Sequence, residues 1–130
     1  MLKTYIAVMC GGAFGTGLRF WLSGFLASRY GETFPIGTLV ANITGCFIIG
    51  FFNTLTGPEG AIFSSSLTRQ VVMIGMLGGY TTFSSFSLQT LSLLQDGEWF
   101  RGSMNILLSV VLCLVGVWLG HVLASIINQR

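Results

Sequence analysis

A chain of 130 residues that is 52% hydrophobic and 8% charged, with a mean hydropathy of +0.80, carries too few charges to clothe a soluble domain of its size. Its solvent is expected to be lipid. Six Lys and Arg against four Asp and Glu leave a net charge of +2, and no nucleic acid partner is expected.

Charged positions divide the chain into four apolar segments, residues 4–28, 34–57, 70–95 and 102–127. Each exceeds the ~20 residues that cross a ~30 Å hydrocarbon core. Four transmembrane helices are predicted, forming one all-α transmembrane domain over residues 1–130. The connections hold nearly everything ionic: Arg29 and Glu32, then Glu59 and Arg69, then Asp96, Glu98 and Arg101. In the first span Lys3 precedes apolar sequence and Leu26-Ala27-Ser28 is rich in small residues, as at the end of a signal peptide. Arg19 interrupts the span, however, and its length exceeds the roughly 7–15-residue apolar core of such a peptide, so the segment is expected to remain. Arg19 is the only formal charge inside a span. Either its long stem snorkels to the interface, or it stands at a vestibule that draws anions and hydrogen-bonds the base of a neighbouring helix.

In the second span Thr38 and Asn42 lie four apart and share a helical face, and the Asn42 amide needs partners away from water. In the fourth, Asn105, Ser109 and Cys113 repeat that spacing. Such stripes are either interhelical glue or the wall of a hydrated path. Cys10, Cys46 and Cys113 fall one per span, without CxxC or Cys/His spacing, and are read as small buried apolar residues. No chemistry is assigned to His121. Gly11 and Gly15, Ala41 and Gly45, Gly75 and Gly79, and Gly116 and Gly120 make small-xxx-small pairs that allow close helix approach without identifying an interface.

The third span is the least regular. Within the uncharged run from Gln70 to Gln95 stands Gly78-Gly79-Tyr80-Thr81-Thr82-Phe83-Ser84-Ser85-Phe86-Ser87. The two glycines lower the cost of leaving helical geometry, and β-branched threonines weaken the helix while offering hydroxyls to freed backbone groups. A helix break at that depth is tolerated only where protein or a water-filled cavity surrounds it. Carbonyls near Gly78 and Thr81 are expected to lose their i+4 donors and to suit a hard monovalent cation. Phe83 and Phe86 share a face if the helix resumes, with Ser84 and Ser87 alongside. Their ring edges carry partial positive charge that attracts a small anion without trapping it, although rings at this spacing also serve as ordinary core packing.

Four spans place both termini on one side, with Lys3, Arg69 and Arg130 facing Arg29 and Arg101 across the membrane. Three against two is a weak bias. Either the chain inserts both ways, which makes an antiparallel homodimer the natural assembly, or the small excess fixes one orientation.

Through Gly37-Thr38-Leu39-Val40-Ala41-Asn42, the segment from Gly78 to Ser87 and the early Gly17-Leu18-Arg19-Phe20, the chain resembles the Fluc (CrcB-type) fluoride channels over essentially its whole length. The resemblance implies an antiparallel dual-topology homodimer in the bacterial inner membrane, a multi-pass protein whose partners are membrane lipid, a second copy of itself and the fluoride ion. Fluoride would pass passively out of the cell through two parallel pores, without catalysis. It further implies that Phe83 and Phe86 turn ring edges to the anion and that Asn42 donates to it and orients the rings. Gly78 and Thr81 would supply backbone carbonyls to a central sodium ion that is structural and not transported. Thr38, Ser84 and Ser87 would be polar neighbours of the path, and Ser109, with Asn105 and Cys113, would lie on a polar track of the fourth helix. The competing class is a small proton-coupled multidrug exporter of four-helix, dual-topology type. Such antiport needs a carboxylate in the membrane, and all four acidic residues lie in or beside connections.

Overall fold

The computed structural model describes residues 1–130 and is all-helical. Helix α1 runs Leu2–Tyr30 and α2 runs Ile36–Leu55. The third rod, Ser66–Gln95, is built in pieces: α3 (Ser66–Gln70), a π-helical stretch (Val71–Met76), α4 (Leu77–Tyr80) and, after a break, α5 (Phe83–Gln95). Helix α6 runs Trp99–Asn128. Of these four rods, α2, the composite third rod and α6 are long and apolar enough to cross a membrane. Helix α1 is as long as the others at 29 residues. It is less apolar, because glycines, Arg19 and hydroxyl side chains dilute it.

Connections are short and end where glycine permits. Gly31 and Gly97, both at φ 78°, turn the chain out of α1 and α5 in the left-handed region that costs other residues a Cβ clash. The ten residues between α2 and α3 are held by side chains. Arg69 donates to Asn53 Oδ1 at 2.8 Å and to Thr56 Oγ1, while Asn128 accepts from Ala61 N–H at 2.9 Å and donates to Thr54 O at 3.0 Å. His121 Nδ1 lies 2.8 Å from Thr54 Oγ1 in the same cluster.

The helices pack through their small residues. A Cβ on Gly11 would stand 2.9 Å from Val71 O, one on Gly75 would stand 2.7 Å from Val8 O, and one on Gly15 would run into the Met76 carbonyl. Glycines on α1 and on the third rod thus interleave backbone against backbone. On the other side of the bundle a Cβ on Gly120 would strike Phe47 O, and one on Gly50 would strike Val117 O, so α2 and α6 meet as closely. Lipid tails are as apolar as leucine, so van der Waals contact at this range, rather than expulsion of apolar surface from water, holds such a bundle.

All four small-residue pairs are therefore engaged within one chain: Ala41 is fully buried and a Cβ on Gly45 would meet Thr81 Cγ2. Only 20 of 130 residues are buried, and the exposed faces carry large apolar side chains such as Phe14, Trp21, Ile74, Phe83 and Trp118. A rod that is apolar on its outer face as well as its inner one belongs in lipid or against another apolar surface.

Candidate functional site: a groove at the helix break

The break lies at Thr81 and Thr82, whose backbones are extended at φ −85°, ψ 158° and φ −154°, ψ 115°. Gly78 and Gly79 stay helical in α4. The bare backbone of Gly79 serves approach to α1 instead, where a Cβ would stand 2.5 Å from Gly12 O, while a Cβ on Gly78 would meet only Met73 O at 3.9 Å. The two threonines make the turn, and each caps one side of it. Thr81 donates through its hydroxyl to Leu77 O at 2.9 Å, closing α4, and Thr82 Oγ1 accepts from Ser85 N–H at 3.2 Å, opening α5. An N-cap threonine satisfies one of the orphan donors at a helix start, a group for which lipid offers nothing.

Asn42, from α2, locks this break in place. Its Oδ1 accepts from Thr82 N–H at 2.7 Å and its Nδ2 donates to Thr82 O at 2.9 Å. In a continuous helix Thr82 N–H would bond to Gly78 O, and Ser85 N–H to Thr81 O. Both donors are engaged elsewhere, so the Gly78 and Thr81 carbonyls lose their i+4 partners. Arg19 reaches the same end of α4 from α1, with Nε donating to Gly79 O at 3.1 Å beside the Thr16 hydroxyl at 3.4 Å. A guanidinium at a helix C-terminus meets the negative end of the helix dipole, and here it replaces a donor that the break removed.

Phe83 and Phe86 follow directly. Their ring centroids lie 5.1 Å apart with planes tilted by 56°, so that one ring turns an edge toward the space beside the other. Phe86 is 8% exposed and Phe83 76% exposed. A buried polar chain fixes the inner ring's helix: Asn105 Nδ2 donates to Thr90 Oγ1 at 2.9 Å, and Thr90 donates to Phe86 O at 2.8 Å. Asn105, at 1% exposure, is the largest fully buried side chain of the protein.

These groups line one groove of about 310 Å³, walled by Asn42 and Cys46 of α2, Thr81 and Thr82 of the break, Phe83 and Phe86 of α5, and Ser109, Val110, Cys113 and Leu114 of α6. The groove contains no formal charge. It offers three hydroxyls, those of Thr81, Thr82 and Ser109, one amide, two thiols and two aromatic rings. A primary amide carries two N–H donors, and Asn42 spends one on Thr82 O, which leaves one for an occupant.

A family model described as "CrcB-like protein, Camphor Resistance (CrcB)" matches residues 6–121. The chain belongs to this family. It is 57% identical over 126 residues to the "Fluoride-specific ion channel FluC" of Rhodospirillum rubrum, covering 97% of this chain and 98% of that one. It is 58% identical over 128 residues to the protein of the same name from Opitutus terrae, with 98% and 97% covered, and 54% identical over 125 residues to that of Methylocella silvestris, with 96% and 95% covered. These relatives are named as channels, not as enzymes.

In this CrcB-like chain the groove gathers Asn42, Cys46, Thr81, Phe83, Phe86, Ser109 and Cys113 of the residues singled out in the sequence; Thr38, Gly78, Arg19, Ser84, Ser87 and Asn105 stand apart. Thr38, one turn before Asn42, lines a separate cavity of about 630 Å³ between the α1–α2 connection and the ends of α5 and α6, together with Gln89, Glu32, Asp96, Glu98 and Arg101. Three carboxylates against one guanidinium give that mouth a sign that does not draw anions. Ser84 and Ser87 are exposed on α5: Ser84 Oγ lies 3.3 Å from Thr82 Oγ1, and Ser87 donates to Phe83 O at 2.9 Å. Gly78 is exposed and Arg19 half-buried, and neither lines the groove. The cysteines divide as well. Cys46 and Cys113 are half-buried in the groove, whereas Cys10 is exposed on α1 instead of buried as its apolar setting predicts, because that face of α1 has no neighbour in the chain.

Thr90 escaped the sequence reading. A hydroxyl four residues beyond Phe86 in an apolar run was the available signal, since that spacing lets the side chain reach the Phe86 carbonyl.

Proposed function

We propose that the chain is a fluoride-selective passive channel, as the names of its relatives indicate, which lets fluoride leave the cytoplasm and so lowers its toxicity. The observation that carries this reading is the uncharged groove in which Asn42, fixed to the break at both amide atoms, stands beside the Phe83 and Phe86 rings. Fluoride gives up most of its water at such a place and is met by one amide N–H, by the Ser109 hydroxyl and by ring edges. None of these bears a charge that would hold it. Neutral donors balance entry against exit, which a conducting site requires. Chloride, being larger, is disfavoured by confinement between rings and α6.

The same reading makes the working unit an antiparallel dual-topology homodimer in the bacterial inner membrane. Several features support it: the three-against-two charge balance across the membrane, the exposed apolar faces left after every small-residue pair has been used internally, and the 76% exposure of Phe83, a ring that a second copy would cover. Gly78 and Thr81 carbonyls, freed of their helical donors, would hold a structural sodium ion between the two copies. Neutral carbonyl oxygens fit a hard monovalent cation, and such an ion would supply positive potential near the anion's path and join the two breaks. Ser84 and Ser87 are polar neighbours of the route, Thr38 stands one turn before Asn42 at the separate acidic cavity, and Arg19 acts through α4, by holding its C-terminal end.

Proton-coupled drug export finds no support, since Glu32, Glu59, Asp96 and Glu98 all lie outside the helices. Liposomes loaded separately with fluoride, chloride or a proton-exchangeable cationic dye test the proposal. Fluoride release without proton coupling is expected, strongly reduced by Phe83→Ile or Phe86→Ile in protein that still assembles. Dye exchange driven by a pH gradient, or silence in all three arms, would overturn it.

A further inference from the structure

Cys46 stands one helical turn beyond Asn42, and Cys113 one turn beyond Ser109, so α2 and α6 present two short ladders to the same groove. The amide, the hydroxyl and the two thiols all line this groove. Both thiols face this one groove of about 310 Å³, Cys46 from α2 and Cys113 from α6. Neither sulfur is explained by the passage of a hard anion, for which a thiol is a poor donor, and a hydroxyl would have filled nearly the same volume.

We propose that Cys46 and Cys113 form a two-thiol site for a soft, thiophilic divalent cation of the Hg2+ class, and that its occupancy closes the groove. Ligand number and charge select the ion. Nowhere in the chain do three or more His, Cys, Asp or Glu residues gather, so Zn2+ and Cd2+, which seek four ligands, are not satisfied. Soft cations that accept two sulfurs remain. Among these, a divalent ion bound by two thiolates is neutral overall, whereas a monovalent one would leave a net negative charge in a low-dielectric, uncharged groove. As each metal–sulfur bond forms, its thiol gives a proton to water; two protons leave per ion and no electrons change hands. Its Cys46 ligand stands one turn, ~5.4 Å, from Asn42 along α2, so the bound ion lies within the proposed path. The closure, though not the binding, rests on the function proposed above.

The test uses full-length protein carrying Cys10→Ser, which removes the exposed third thiol on α1. Titration with HgCl2, followed by thiolate-to-mercury absorption and by counting the thiols still open to a maleimide, is expected to saturate at one ion per chain with both thiols consumed. Adding Cys46→Ser or Cys113→Ser is expected to weaken binding by about a hundredfold or more, since the second sulfur acts at high effective concentration. In liposomes HgCl2 should stop fluoride efflux from the Cys10→Ser protein and dithiothreitol should restore it, while any flux through the Cys46→Ser/Cys113→Ser double variant should be insensitive. Two ions per chain, single variants that bind as tightly, or full efflux at saturating mercury would each overturn the proposal. Absence of efflux before any mercury is added would instead count against the channel reading, and the titration would still decide the site.

Discussion

Replacing Asn42 by alanine removes both hydrogen bonds that hold Thr82, at 2.9 Å and 2.7 Å. Thr82 is extended, so neither its N–H nor its carbonyl can return to a helical partner without rebuilding the break. A buried polar group left unpaired costs about 1–3 kcal/mol, more than the ~0.6 kcal/mol typical of an interhelical pair measured in a membrane, because here two groups are orphaned at once. Thr82 is only half-buried, which favours the lower end, so the loss should be about 2–3 kcal/mol in all. The second loss is the free amide N–H. A hydrogen bond to a charged partner contributes about 1.5–3 kcal/mol, so its removal from the groove should slow efflux roughly 10- to 150-fold. Purified Asn42→Ala protein, assayed for thermal unfolding in detergent and for initial fluoride efflux after reconstitution, reads both effects separately. A lowered midpoint with undiminished efflux would leave the lock and remove the donor. An unchanged midpoint and unchanged efflux would refute both.

Gly15→Ala should destabilise the bundle by about 1–3 kcal/mol, because the added methyl meets the Met76 carbonyl, backbone that cannot swing away. Gly17→Ala, on the same helix with nothing within 4 Å of the new methyl, should instead leave stability equal or raise it by up to about 1 kcal/mol; unfolding midpoints with the same sign for both would contradict the packing account. Thr90→Val should cost about 1–3 kcal/mol by stranding the Asn105 amide, and adding Asn105→Leu should recover part of that loss. A double-mutant cycle showing simple additivity would argue against the pair. Exchange of sodium for a bulky organic cation should abolish efflux and loosen the proposed dimer, and full activity after exhaustive sodium removal would exclude the proposed structural ion.

Much of the site was legible because membrane spans tolerate few polar residues, and each one stands out against the apolar background. Asn42, Ser109, the Phe83 and Phe86 pair and the presence of a break were all visible in that way. The exact position of the break was not, since glycine frees the backbone without obliging it to leave the helix, and at Gly79 contact with α1 favoured staying helical. The separation of Thr38 from Asn42 was hidden for a related reason. Residues four apart share a face, but α5 lines the two cavities with different residues, Phe83 and Phe86 beside Asn42, and Gln89, Ser92 and Leu93 beside Thr38. For Arg19 the sequence offered snorkelling or a bond to the base of a neighbouring helix, and the packed α1 and α4 show the bond, from Nε to Gly79 O. The π-helical stretch Val71–Met76 has no polar marker at all, lying in an apolar run whose hydrogen-bond register is set by close approach to α1.

The most direct measurement of the central claim is the reversal potential of purified protein in a planar bilayer, with fluoride and chloride gradients set independently and pH equal on both sides. Current that reverses at the fluoride equilibrium potential, and does not move when the chloride gradient is inverted, is the predicted result. A reversal potential that follows chloride, or that shifts with an imposed proton gradient, would contradict the account.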